Sequence, residues 1–265
     1  MTSRISGFKQ NTLTSMNTVY TMWLREMIRF RRSKSRIIGS LATPLFFLVI
    51  LGTAFNSSFQ MKSGTGQTDI SFLAPGIIGM SILFSSLMGG VSIIWDREFG
   101  FLKEILIAPV SRFFVALGKA LGGVTTAMIQ GTLLMLIAFA LGVEYQSYPG
   151  MLASIGVMLL IGLGFIGLGI ALASHIESHE GFQMIMTFIT MPVLLLSGAF
   201  FRIGDLPSWM KTLVYLDPLT YGIMALRFTL IGETEIPINI CIAVLVLFAA
   251  TTIGLGGYMF GKAKV

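Results

Sequence analysis

Residues 145–174 read YQSYPGMLASIGVMLLIGLGFIGLGIALAS, thirty residues with no Lys, Arg, Asp, Glu or His among them. A helix of ~20 residues, rising ~1.5 Å per residue, crosses the hydrocarbon layer of a bilayer. This stretch is long enough to span, and it is not alone. Five more charge-free runs occupy residues 37–61, 70–95, 120–143, 181–201 and 236–261. The spans expected within the six runs fall at about 37–59, 71–95, 117–142, 151–174, 181–201 and 238–260. The fold class read from them is all-α: one polytopic membrane domain over residues 1–265 with six transmembrane helices.

Composition agrees. Apolar residues make up 54% of the chain and charged ones 11%, against roughly a quarter charged in a soluble domain. The single cysteine, Cys241, lies in the last run, which excludes an internal disulfide and a cysteine-based metal cluster. Intramembrane charges are the usual parts of proton relays and ion-coupled carriers. Spans without them point to an energy source outside the bilayer.

The net charge of +6 is unevenly placed. Eight of the eighteen Lys/Arg precede residue 37, and Arg29, Arg31, Arg32, Lys34 and Arg36 crowd together just before the first span. Such a cluster suits anionic headgroups, so membrane lipids rather than nucleic acid are the expected partner. With the N-terminus inside, fourteen Lys/Arg fall on the inner side and four on the outer. The positive-inside rule then predicts two cytoplasmic termini in a cell (plasma or inner) membrane.

Three segments supplement the spans. Within residues 15–35, Met16, Val19, Tyr20, Trp23, Met27 and Phe30 recur at helical spacing, with Arg25, Arg29 and Arg32 largely elsewhere. This predicts an amphipathic helix in the inner headgroup plane, either a plain anchor or a lever to the first span. The loop 96–113 holds Asp96-Arg-Glu-Phe-Gly-Phe-Leu-Lys-Glu-Ile-Leu-Ile-Ala-Pro109, a short helix stopped near the proline. Phe101, Leu102, Ile105 and Leu106 share one face, bordered by Glu98, Lys103 and Glu104. That face suits a groove in another subunit; the acidic residues Asp96, Glu98 and Glu104 disfavour lying flat on anionic lipid. Third, residues 202–232 read as two short apolar helices interrupted at Asp217-Pro218 and Gly222, dipping into the outer leaflet and returning. Such backbone is tolerated at depth only against protein or a watery space.

Two of these stretches carry a resemblance. Arg97-Glu98-Phe99-Gly100, then Leu106-Ile107-Ala108-Pro109-Val110-Ser111-Arg112 and Gly118-Lys119, resembles the cytoplasmic-loop signature of the type-2 ABC exporter permeases. That family includes daunorubicin-resistance permeases and permeases exporting lipid-linked polysaccharides. Leu206-Pro207-Ser208-Trp209, Leu216-Asp217-Pro218-Leu219-Thr220-Tyr221 and Arg227 are similar to its outer segment before the last span. The chain departs from the family at Phe101, where Thr is frequent, and at Asp217, where Asn is.

The resemblance implies a homodimer of this chain with two copies of an ABC ATP-binding subunit. ATP and Mg would be held by that partner, with no cofactor in this chain. It places Glu98, Gly100, Phe101, Leu102, Glu104, Ile105 and Pro109 in a coupling helix seated on the ATPase. It makes Pro207, Trp209, Asp217, Pro218 and Tyr221 an outer re-entrant gate. The implied activity is export of an amphiphilic drug-like or lipid-like molecule. Lipid-linked polysaccharide is the alternative cargo, set lower because aromatic rows for sugar stacking are missing from the spans. A non-transporting scaffold or a channel is the reading from another class; a channel would be expected to carry a charged or carbonyl-lined constriction.

Some motifs point elsewhere at first sight. Gly118-Lys119 is followed by Ala120 and lacks the upstream glycine of a phosphate-binding loop, so the chain is expected to be no ATPase itself, with no catalytic residues. Gly162-Leu-Gly164-Phe-Ile-Gly167 matches a dinucleotide fingerprint but sits inside an apolar span, where close helix packing is the better account. His175 and His179 lack a third ligand and read as a solvated turn rather than a metal site. Among uncharged polar residues in the spans, Ser85, Gln130, Gln183 and Thr187 are the candidate pathway-lining set. The two amides are costly to leave unpaired in lipid and should face protein or a cavity.

Overall fold

The computed structural model describes residues 2–59, 69–100, 111–176 and 178–262, and among the described residues there is no strand. The helices are α1 (Thr2–Arg32), α2 (Lys34–Phe59), α3 (Asp69–Gly89), α4 (Val91–Glu98), α5 (Arg112–Ala140), α6 (Tyr148–His175), α7 (His179–Leu196), α8 (Ser208–Leu216), α9 (Pro218–Ile231) and α10 (Ile238–Lys262). Five stretches are long and apolar enough to cross a membrane: Ile70–Asp96, Arg112–Ala140, Tyr148–His175, His179–Leu196 and Ile238–Lys262. A sixth is reached when Ser15–Arg32 and Ile37–Ile50, bent by 71°, count as one.

Local chemistry sets the boundaries. Ser147 caps α6 by accepting from the Gly150 N–H at 3.2 Å, with a proline in the first turn where its missing N–H costs nothing. Ser178 does the same for α7 from Gly181 at 3.1 Å. The second span is not one continuous helix. It breaks at Gly90, between α3 and α4, because the backbone of α6 presses on that point. A Cβ on Gly90 would sit 2.4 Å from the Gly169 carbonyl oxygen.

Helix α6 is the centre of the bundle. In lipid, helices associate through close packing rather than through expulsion of water, so small residues mark their contacts. Gly167 meets the α10 backbone at Thr252 and Ile253, where a Cβ would come within 2.6 Å. The glycines resembling a nucleotide fingerprint are therefore packing residues.

The N-terminal helix α1 packs closely on α5. Gly118 and Gly122 open a groove that takes Val19, Met22 and Glu26. Trp23 Nε1, expected at the lipid interface, donates to Thr125 Oγ1 at 3.1 Å. Met16, Tyr20 and Ile28 stay exposed on the other side. Two short helices, α8 and α9, occupy the segment 202–232, with the break at Asp217–Pro218. Gly222 makes no break; it lies inside α9, packed on Ile161 of α6 and Leu245 of α10, and that packing offsets its poor helix propensity.

Candidate functional site

At one end of the bundle, five charged side chains meet around Asp96. The carboxylate is 3% exposed and lies in α4, two residues before that helix ends. It accepts from Lys119 Nζ of α5 and from Arg25 Nη2 and Arg29 Nη2 of α1, the last at 3.3 Å. Lys119 is also 3% exposed and reaches the Ser92 carbonyl at 3.3 Å. Glu26 completes the group at 3.3 Å from Arg25 and 3.6 Å from Arg29. A buried carboxylate is tolerable only when paired and hydrogen-bonded, and this one joins three helices at once.

The cluster stands at the base of the loop expected to couple to a partner. Glu98 ends α4 and is exposed, and Phe99 is 83% exposed. Gly100, two residues past the end of α4, has φ +74°, a conformation that other residues adopt only with strain. Phe101, Leu102, Glu104, Ile105 and Pro109 lie outside the described residues.

Beside the cluster is a cavity of about 610 Å³ bounded by α1, α2, α3, α4, α5 and α7. Glu26, Arg29 and Lys119 form its charged end, next to Trp95 and His179, whose rings stack with centroids 6.0 Å apart. Farther along, Ser40, Thr43, Ser81, Ser85, Gln130 and Gln183 give it a polar but uncharged wall. Three of the four expected lining residues, Ser85, Gln130 and Gln183, meet there. Thr187 does not: it is exposed on α7 and bonds back to the Gln183 carbonyl at 2.9 Å. Gln130 Nε2 donates to Ser40 Oγ at 2.8 Å, tying α5 to α2.

The opposite end is organised by α8 and α9. Asp217 caps α9, its carboxylate accepting from Leu219 N–H at 2.9 Å. Thr220 donates to the Val214 carbonyl at 2.9 Å and Tyr221 to the Tyr215 carbonyl at 2.8 Å, so α9 holds α8 through its last turn. Pro207 precedes α8 as its N-cap, and Trp209 is largely exposed. Arg227 is 2% exposed; one of its amino groups bonds the Gly198 and Ala199 carbonyls at 2.9 and 3.2 Å, and its guanidinium lies 3.7 Å from the Phe72 ring centre. It thus satisfies carbonyls left free where α7 ends. Glu235 accepts from Ile203 and Gly204 N–H, closing the same loop.

His175 and His179 do not converge. The first is exposed and the second stacks on Trp95. Among the described residues, no group of three His, Cys, Asp or Glu is placed to hold a metal ion.

Three buried charges escape the sequence reading: Asp96 and Lys119, read with the loop between them, and Arg227, read with an outer connection. The available signal was the position of an acid at the end of one span and a base at the start of the next. Arg25 and Arg29, four apart on one helical face, were the matching counter-charges.

Such a bundle defines a multi-pass helical membrane protein. Residues 17–231 match the ABC-2 type transporter family, and the chain belongs to that family of transport permeases, which normally work with an ATP-binding subunit. It is 28% identical to the "Putative transport permease ycf38" of Cyanophora paradoxa over 230 residues, covering 85% of this chain and 79% of that protein. It is 26% identical to "Nodulation protein J" of Rhizobium leguminosarum bv. viciae, over 85% of this chain and 86% of the relative. The "Inner membrane transport permease YadH" of Escherichia coli (strain K12) is 24% identical, with 86% and 88% covered.

Proposed function

We propose that this permease is the membrane subunit of an ATP-driven exporter that moves an amphiphilic drug-like or lipid-like molecule out of the cell. Two copies of the chain pair with two ABC ATP-binding subunits, which hold ATP and Mg and carry out hydrolysis. The assembly lies in the plasma or inner membrane with both termini cytoplasmic, so the Asp96 cluster is at the inner end and the α8–α9 pair at the outer end.

The observation that carries this reading is the buried Asp96 group at the root of the loop 97–111. A partner pushing on that loop pushes on Asp96, and through it on α1, α4 and α5 together. The test is ATP hydrolysis. The purified chain should have none, and the partner subunit's activity should respond to the permease. Leu102→Asp or Gly100→Pro should remove that response. An unchanged response in both variants would contradict the assignment of residues 98–106 to coupling.

A further inference from the structure

The cavity beside the Asp96 group has a division of chemistry that bears on what occupies it. Its charges are confined to one end, where Lys119 pairs with Asp96, and Arg29 with Asp96 and Glu26. Away from that end the wall is uncharged. Two of its residues are more than nine-tenths buried and each carries an unpartnered oxygen, Gln130 Oε1 and Ser81 Oγ. An oxygen buried without a partner is costly, so such atoms are rare unless something supplies the missing bond. Oε1 can only accept, and a serine hydroxyl can do either. The missing partner is therefore a donor.

The remaining wall is apolar and pliable, with Pro44, Met80, Phe84 and Met88. Methionine adapts its shape to irregular tails. The volume lies in the range of small-molecule sites, roughly 300–1,000 Å³. We infer that this cavity, within a single copy of the chain, binds the uncharged, hydroxyl-bearing head of an amphiphile through Gln130 and Ser81, with its tail along Met80, Phe84 and Met88. A charged head held at Gln130 and Ser81 meets only uncharged wall and loses its hydration there, so neither an anion nor a cation gains at this position. The inference rests on the exporter reading and narrows its substrate class.

The experiment uses the permease with its ATP-binding partner in lipid nanodiscs and three photoreactive probes of equal chain length: an alkyl glucoside, an alkyl sulfate and an alkyl trimethylammonium. The glucoside should label residues of α3 and α5 around Ser81 and Gln130, and should bind at least tenfold more tightly than either charged probe. Gln130→Leu and the milder Ser81→Ala should each weaken glucoside binding by about three- to tenfold, the range for one lost hydrogen bond. Thr251→Val, on the exposed face of α10, should leave it unchanged. Equal binding of the three probes, or equal affinity in Gln130→Leu, Ser81→Ala and Thr251→Val, would overturn the inference. Partner-dependent ATP hydrolysis, measured on the same samples, separates the two claims: if it persists while the binding pattern fails, the site falls and the exporter reading stands.

Discussion

Asp96 and Lys119 stand at the two ends of the segment between the second and third spans, and their side chains close on each other inside the bundle. The segment expected to take a push from outside thus starts and finishes at one buried ion pair. Arg25 and Arg29 bring α1 to the same carboxylate, so the N-terminal helix cannot shift without disturbing it.

Removing one partner of this pair should be worse than removing both. Asp96→Leu leaves Lys119 buried without its carboxylate, an expected loss of ~3–5 kcal/mol. Asp96→Leu combined with Lys119→Met leaves no fully buried charge unpaired, since Arg25 and Arg29 are partly exposed and keep Glu26 nearby, and should recover part of that loss. Thermal unfolding of the purified permease followed by intrinsic fluorescence measures both. A double variant less stable than the single one would refute the pairing.

Close packing at the Gly90 break makes a second prediction. Gly90→Ala forces a methyl group against the Gly169 carbonyl and should lower stability by about 2 kcal/mol or more. Gly156→Ala, in the same bundle but with open space at its Cβ, should be neutral or stabilising by up to ~1 kcal/mol. The same unfolding assay compares the two.

At the other end, Arg227→Met should free the Gly198 and Ala199 carbonyls and the Phe72 face, costing about 2–4 kcal/mol. Arg227→Lys keeps the charge but not the planar fork, and should fall between wild type and Arg227→Met. Unfolding midpoints in that order support the role given to the guanidinium.

Asp217 offers a subtler case. Its carboxylate caps α9, and Asn can cap as well, so Asp217→Asn should be nearly silent while Asp217→Ala costs ~1 kcal/mol. Hydrogen exchange at the Leu219 amide is the direct readout, since that N–H loses its acceptor only in the alanine variant.

What could be read without the structure follows the range of each interaction. The apolar runs were legible because lipid excludes charge over a whole span, a constraint written residue by residue. The α8–α9 break was legible at Asp217-Pro218, since proline ends a helical ladder locally. Gly222 misled because its helix is held by Ile161 and Leu245, far away in sequence. That Gln130 faces protein or a cavity was legible from the cost of a bare amide alone. The Asp96 group was not legible: Arg25 is 71 positions away, and no local pattern shows that Gly118 and Gly122 seat the helix carrying it. Of the residues expected to couple, Glu98 and Gly100 lie among the described residues, and Gly100 has a positive φ.

Transport itself is the most direct test. Vesicles containing the permease and its ATP-binding partner should move a fluorescent amphiphile across the bilayer only when ATP and Mg are supplied, and Gly100→Pro should reduce the rate to that of vesicles without the partner. Movement at the same rate without nucleotide, or without the partner subunit, would contradict the account.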